Sequence, residues 1–323
     1  MQKQSILQKI IKKRIFMMLL LFIILLVVFT VMSDGIMLNP RNLINILSAM
    51  AISTYLATGI SMLMISGRLD LSTGANGTLC GMFIAYILRA GMPFLPALLI
   101  VLLLGGIIGL INAALVNELN MAPFIATLAT SSIATGFVYL VANRRFIEVT
   151  NPVMRTYGNY MVFGYIPISI IFAFAFMIIV GIILHNTTFG RRIYLVGGNA
   201  QASMLSGINP KRMSYILFIV CGLFSSAAGI TLSARMQNAT IQGLVQQRFQ
   251  GITAAVLGGI SFGGGSGGMA GCFVGLLVLN TFSNGMTVMG ISPYYRDVAT
   301  GLLLVFALML DYVQKKQSEK IMD

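Results

Sequence analysis

From Ile15 to Met32 the chain runs without a single charged side chain, and apolar stretches of similar kind recur almost to its last residues. A helix needs about 20 apolar residues to cross a bilayer. Inside lipid no water satisfies backbone N–H and C=O groups, so a crossing segment must bond to itself as a helix. With 57% hydrophobic residues and 9% charged, and a mean hydropathy of +0.90, little of the chain is left for anything but such crossings. The expected fold is an all-α polytopic membrane protein with about ten transmembrane helices.

The apolar windows place these spans near Ile15–Met32, Leu43–Ser66, Ser72–Leu88, Phe94–Val116, Phe124–Ala142, Ile166–Leu184, Tyr215–Ala234, Ile252–Phe262, Ala270–Ser283 and Asp297–Tyr312. The eighth and ninth are short and separated by a glycine-rich break, which allows one of them to be re-entrant. The chain then divides into a basic N-terminus (1–14), one transmembrane domain (15–313) containing a polar loop (185–213), and a tail (314–323). Cys80, Cys221 and Cys272 lie in or at the ends of spans, without CxxC spacing, and read as buried structural thiols.

Charge sets the expected orientation. Lys3, Lys9, Lys12, Lys13 and Arg14 precede the first span, Arg191, Arg192, Lys211 and Arg212 sit in the polar loop, and Lys315, Lys316 and Lys320 in the tail. With both termini cytoplasmic, all three clusters face the cytoplasm, as the positive-inside rule requires. The other face holds Arg41, Arg89, Arg144, Arg145, Arg155, Arg235, Arg248 and Arg296 but no lysine. The net charge of +13 is therefore chiefly a topology signal, with attraction to anionic membrane lipid second. Basic residues dispersed over both faces form no nucleic-acid patch. The basic start followed by an apolar run invites a signal-peptide reading, but the run exceeds the usual h-region and no Ala-x-Ala pattern follows; it is expected to stay as the first span.

Catalytic chemistry finds little to work with. The single histidine, His185, has no carboxylate, Cys or second His at metal-ligand spacing. The run Leu257-Gly-Gly-Ile-Ser-Phe-Gly-Gly-Gly-Ser-Gly-Gly-Met-Ala-Gly271 imitates a phosphate loop, yet it lacks a Gly-Lys-Ser/Thr ending and no lysine anywhere follows a glycine. No Walker A motif exists, so the chain is expected to hydrolyse no ATP and to bind no cofactor or metal of its own. Glycines here serve close helix approach, and Gly258, Gly259, Ser261 and Gly264 are also candidates for shaping a transport path.

A second break, Ser66-Gly-Arg-Leu-Asp-Leu-Ser-Thr-Gly74, puts Arg68 and Asp70 between long apolar segments, costly in a bilayer unless they pair or reach water. Asp70 with Ser72 and Thr73 reads first as a helix start and second as a substrate contact. Arg68, Asp70, Ser72, Phe124 and Asn284 join the path candidates; Met50, Met62 and Met64 are weaker ones, for which ordinary packing is the simpler account. In the polar loop the grammar is sharper. Asn199 is a good N-cap, Ala200 to Ser206 a short helix, Gly207 a C′ residue, and Pro210 a stop. A helix that short is unstable alone in water and must dock on something. Gly198, Asn199, Ala200, Gln201, Ala202, Ser203, Met204, Leu205, Ser206 and Gly207 are thus the candidate handle for a cytoplasmic partner.

Five ordered blocks, Ser66–Gly74, Ala122-Pro-Phe-Ile-Ala-Thr-Leu128, Thr188–Asn209, Ala254–Gly267 and Asn284-Gly-Met-Thr-Val-Met-Gly-Ile-Ser292, resemble the signature blocks of ribose-type ABC importer permeases, the simple-sugar branch related to branched-chain amino-acid permeases. The resemblance implies a permease subunit for a simple sugar or sugar-like solute. It also implies a second permease copy or paralogue, two cytoplasmic ATPase subunits (or one tandem ATPase) that bind the ATP, and an extracytoplasmic solute-binding protein, all at a bacterial inner membrane. Residues matching Gly198–Gly207 form that family's coupling helix. The chain departs from the family at Arg68, where an apolar residue is usual, at Arg248-Phe249, where Glu-Leu is usual, and at Gln201-Ala-Ser-Met204, where Ala-Ala-Arg is commoner. These departures favour pairing with a paralogue and leave the solute open. Two other classes stay in view: an ion-coupled secondary carrier, which normally needs more intramembrane ionisable residues, and a membrane receptor or scaffold that moves no solute.

Overall fold

The structure is a computed structural model and describes residues 2–142, 145–245 and 247–320; side chains are described from Ile15 onward, save those of 248, 310, 311 and 313–320. Arg144, part of the charge argument, lies outside the described residues, as do the side chains of the basic clusters at both ends and of Arg248.

Thirteen α-helices account for most of the described chain: α1 (Gln2–Met32), α2 (Pro40–Ile65), α3 (Thr73–Arg89), α4 (Phe94–Asn117), α5 (Pro123–Ala142), α6 (Pro152–Asn159), α7 (Ile168–Asn186), α8 (Thr188–Gly198), α9 (Ala200–Leu205), α10 (Pro210–Met236), α11 (Gln247–Leu257), α12 (Met269–Val288) and α13 (Pro293–Lys320). Two tiny antiparallel ladders tie the connections together. One pairs β1 (Ile147–Glu148) with β4 (Asn238–Ala239), the other β2 (Met161–Val162) with β3 (Ile166–Pro167).

Among the described residues seven helices, α1 over Ile15–Met32, α2, α4, α5, α7, α10 and α12, are long and apolar enough to cross a membrane. The chain is a multi-pass, mostly helical membrane protein. The segment expected at Ala270–Ser283 is a full-length helix, α12, of 20 residues. Short is only its predecessor: α11 has 11 residues, about 16 Å at 1.5 Å per residue, half a hydrocarbon core. The glycine-rich run after Leu257 is irregular as far as Gly268, which separates the short α11 from the full-length α12.

Packing ranks the helices. In α2, 89% of the most apolar window is buried, against 6% in α1, so α2 is the central post and α1 a peripheral one. α2 packs on α7, α10, α11 and α12, α10 also on α3 and α4, and α1 on α12. In the α4–α10 contact a Cβ on Gly222 would fall 2.1 Å from the Gly105 carbonyl oxygen, so only glycine permits the backbones to approach as they do. Outward faces stay apolar: Leu95, Leu99 and Leu103 on α4, and Ile178 and Ile182 on α7, are all exposed, the pattern of helices solvated by lipid tails. The three cysteines are buried inside this bundle.

Candidate functional site

At one end of the bundle α8 and α9 form a capped projection. The Asn199 side chain accepts from the Ala202 amide at 2.9 Å, capping α9 at its start as expected. At its end Gly207 adopts φ +76°, its amide donates to Met204 O, and the Ile208 amide donates to Ser203 O, both at 3.0 Å. This crossed pair is a Schellman closure. Ser203 faces inward, whereas Ala200, Gln201, Ala202, Met204, Leu205 and Ser206 are exposed, Leu205 at 92%. Pro210 is more than a stop. It is the first residue of α10, whose N-cap Asn209 accepts from the Arg212 amide at 3.0 Å. Lys211, one residue on, donates to Glu118 at 2.6 Å, and Tyr215 donates to the other Glu118 oxygen at 2.7 Å. The Lys211 bond, with Tyr215 second, holds the Glu118 carboxyl below the usual carboxylate range.

Beneath α9 the projection is seated on the bundle by backbone. A Cβ on Gly197 would stand 1.9 Å from Ile65 O and 2.6 Å from Gly265 N. The Gly265 amide itself donates to Ile65 O at 2.8 Å, and the Tyr194 hydroxyl donates to Gly267 O at 2.8 Å. Gly264, at φ +85°, would press a Cβ to within 2.7 Å of Gly67 N and 2.8 Å of Gly197 O. The end of α8, the end of α2 and the glycine-rich loop therefore meet as one joint with no side chain between them.

The polar candidates of the first break have structural partners. Asp70, 1% exposed, accepts at Oδ1 from the Ser72 amide (2.7 Å) and the Ser72 hydroxyl (2.6 Å), and at Oδ2 from Asn112 (3.3 Å). Asn112 also donates to the Ser72 hydroxyl (2.8 Å) and accepts from Thr130 (2.6 Å). The network ties the start of α3 to α4 and α5, and Asp70 braces the N-cap residue Ser72 instead of capping an amide of α3, which has no side-chain cap bond. Arg68 does not pair with Asp70; it donates to Asn117 at 3.0 Å. Arg68 and Phe124 line a cavity of about 330 Å³ with Met64, Pro123 and Phe262. Gly258 packs against Gly271, Gly259 turns the chain at φ +96°, and Ser261 accepts from the Gly263 amide at 3.2 Å. Asn284 is distant from all of these, in a reciprocal amide pair with Asn42 at 2.9 and 3.0 Å.

A larger cleft, about 440 Å³, opens toward the other end. Ala49 on its wall precedes Ile65 by sixteen residues of α2, about 24 Å of helix. Its polar lining includes Thr78, Ser233, Asn238, Gln242, Gln247, Gln250 and Asn280, with Arg235, Arg296 and Asp297. None of the path candidates lines it. These residues come from α3, α10, β4 and the turn after it, α11, α12 and α13, and no single stretch announces them; the one local signal is the cluster Gln246-Gln-Arg-Phe-Gln250 at the start of α11, whose first residue lies outside the described residues.

Residues 42–308 match the family described as branched-chain amino acid transport system / permease component. The ribose import permease protein RbsC of Bacillus subtilis is 33% identical over 85% of this chain and 85% of its own length. The D-allose transport system permease protein AlsC of Escherichia coli is 30% identical over 90% and 89%. The galactose/methyl galactoside import permease protein MglC of Escherichia coli is 29% identical over 88% and 91%. No solved structure matches the chain.

Proposed function

The chain belongs to the branched-chain amino acid transport system / permease component family, and from that premise we propose how its two ends divide the work of an ATP-driven importer. It is a transmembrane permease subunit, a transport component and not an ATPase. The relatives named for ribose, allose and galactose support a simple sugar or sugar-like solute.

In this reading residues 1–14, the loop 185–213 and the tail 314–323 face the cytoplasm of a bacterial cell, and 15–313 form one transmembrane domain. α3, α11 and α13 join the seven long helices to make ten membrane segments, α11 as a half-span. The exposed face of α9 enters a cleft on an ATPase subunit. Two such subunits, or one tandem ATPase, bind the ATP; a second permease, itself or a paralogue, completes the path, and an extracytoplasmic binding protein delivers the solute.

The carrying observation is the seat of α9. A six-residue helix has too few internal bonds to persist alone, yet this one is capped at both ends, displays Leu205 outward, and rests through Gly197 on the end of the central helix. Force applied at α9 reaches α2 and the α11–α12 break without passing through a flexible side chain. Closing and opening of the ATPase pair biases the permease only because the docked loop is bound differently in the two states. The test is co-purification in detergent with the ATPase subunit encoded beside this chain: wild-type retention and its loss on Ala202→Asp support the reading, and an ATPase retained equally by the variant contradicts it.

A further inference from the structure

The cleft at the far end is cationic and hydrogen-bond hungry. Arg235, in the last turn of α10, is half-buried, and its hydrogen bond to Asn45 O is long, 3.5 Å. Arg296, in the first turn of α13, donates from Nη1 to Thr287 at 3.3 Å, while its Nε is buried with no acceptor among the described residues. Asn238 Oδ1 is buried in the same lining with no donor among the described residues. Neither arginine has an ion-pair partner among the described residues. The acidic residue of the lining is Asp297, which is exposed. Buried donors and acceptors are nearly always satisfied in proteins, so an unpaired donor and an unpaired acceptor set just behind the wall of one polar cleft mark side chains that gain partners by turning toward a guest.

The backbone adds the same sign. The half-span α11 starts at Gln247 and α13 at Pro293, each with its first turn in or beside the cleft. Helix N-termini carry partial positive charge, and broken membrane helices that end at mid-depth present those termini to anionic groups.

Resting on the permease reading above, we propose that this cleft is the chain's solute-contact site and that its solute is a hydroxyl-rich molecule bearing an anionic group. Arg235, Arg296 and the start of α11 hold the carboxylate or phosphate. Asn238 and the amides of Gln242, Gln250 and Asn280 bond to hydroxyls, which both donate and accept as these amides do. The volume suits a single small solute. A neutral sugar gains hydrogen bonds but no charge pairing from two arginines, and a simple inorganic anion leaves the amide wall unused.

The test uses the full-length permease in nanodiscs of neutral lipid, with the thermal midpoint followed against glucuronate, ribose 5-phosphate, ribose, glucose and inorganic phosphate. Glucuronate or ribose 5-phosphate, whichever carries the right anion, is expected to raise the midpoint at concentrations at least tenfold below those needed for ribose or glucose. Arg296→Gln is expected to erase that advantage and Arg296→Lys to keep most of it. Arg235→Gln, also in the cleft lining, provides a second variant if the first inserts poorly. An equal response to neutral sugars, a response to inorganic phosphate as strong as to the sugar anion, an anion response indifferent to both Gln variants, or no response to any probe overturns the proposal. None of these results bears on ATPase co-purification, so the permease reading stands or falls separately.

Discussion

The two ends of this bundle differ in how much hydrogen-bonding capacity they leave unused. At the coupling end backbones touch: Gly197 meets Ile65 O, Gly264 meets Gly67 N, and polar groups such as Asp70 are fully supplied with donors. At the far end side chains stand back from one another around about 440 Å³ and leave Arg296 Nε and Asn238 Oδ1 unmet. A surface that transmits force has no slack, and a surface that receives a changing guest keeps hydrogen-bonding capacity in reserve. Glycine content does not separate the ends, since a Cβ on Gly229 in the cleft wall would fall 1.8 Å from Gly77 O; what separates them is the bonding capacity left unused.

The comparison breaks most visibly at Gly197. Gly197→Val forces a branched side chain into the Ile65 carbonyl, and overpacking of that kind costs on the order of 3 kcal/mol or more. The expected outcome is a marked fall in thermal midpoint in detergent, with most molecules no longer retaining an ATPase. A well-folded variant with normal retention means that the joint has slack after all.

Next in size is the polar lock. Asn112→Ala removes a donor to Asp70 and Ser72 and an acceptor for Thr130. Leaving buried partners short of bonds costs about 1–3 kcal/mol, measurable as a lowered denaturation midpoint. An unchanged midpoint would make the network ornamental. Smaller again is Gly207→Val: its Cβ meets nothing within 4 Å, so the penalty comes only from holding a branched residue at φ +76°, about 1–2 kcal/mol. Fraying of α9 should appear as faster amide exchange at Gly207 and Ile208, with the rest of the bundle unaffected.

The mildest effect is set by pH. The Glu118 carboxyl is held below the usual carboxylate range, first by the hydrogen bond from Lys211 and then by that from Tyr215. A depressed folded value means that the tie between α4 and the start of α10 is fully present above the ordinary carboxylate range and is lost as pH falls through the folded value. Both partners of the ion pair are about half exposed, so the change is small and salt-sensitive. Amide exchange in residues 209–212 should quicken only on the acid side. Loosening that begins near neutral pH assigns it to another group.

These contrasts show what the sequence carries and what it withholds. Asn199, Gly207 and seven of the apolar windows are local signals, realised as caps and as helices long enough to cross a membrane because both are decided by near neighbours; the window at Ile252–Phe262 is not, since its second half falls in the glycine-rich break. The resemblance blocks were likewise local, and the family match confirms them. α8 is formed where only polar loop was expected; its stabilisation comes from Ile193 and Val196, buried beneath it, which a reading of loop charge overlooks. Arg68 and Asp70 stand two residues apart yet take partners from α4, since pairing depends on where the other helices bring their amides. The cleft was the least legible part. Five helices and the connection after α10 contribute polar residues whose only common property is position, and position emerges from packing.

The most direct test of transmission through the joint is the number of solute molecules moved per ATP hydrolysed by the reconstituted importer carrying Gly264→Ala. The account predicts that the ATPase stays bound and keeps hydrolysing while transport per ATP falls at least tenfold, because the added methyl pushes α8 off the end of α2. An unchanged ratio in a variant that folds and holds its ATPase would contradict it.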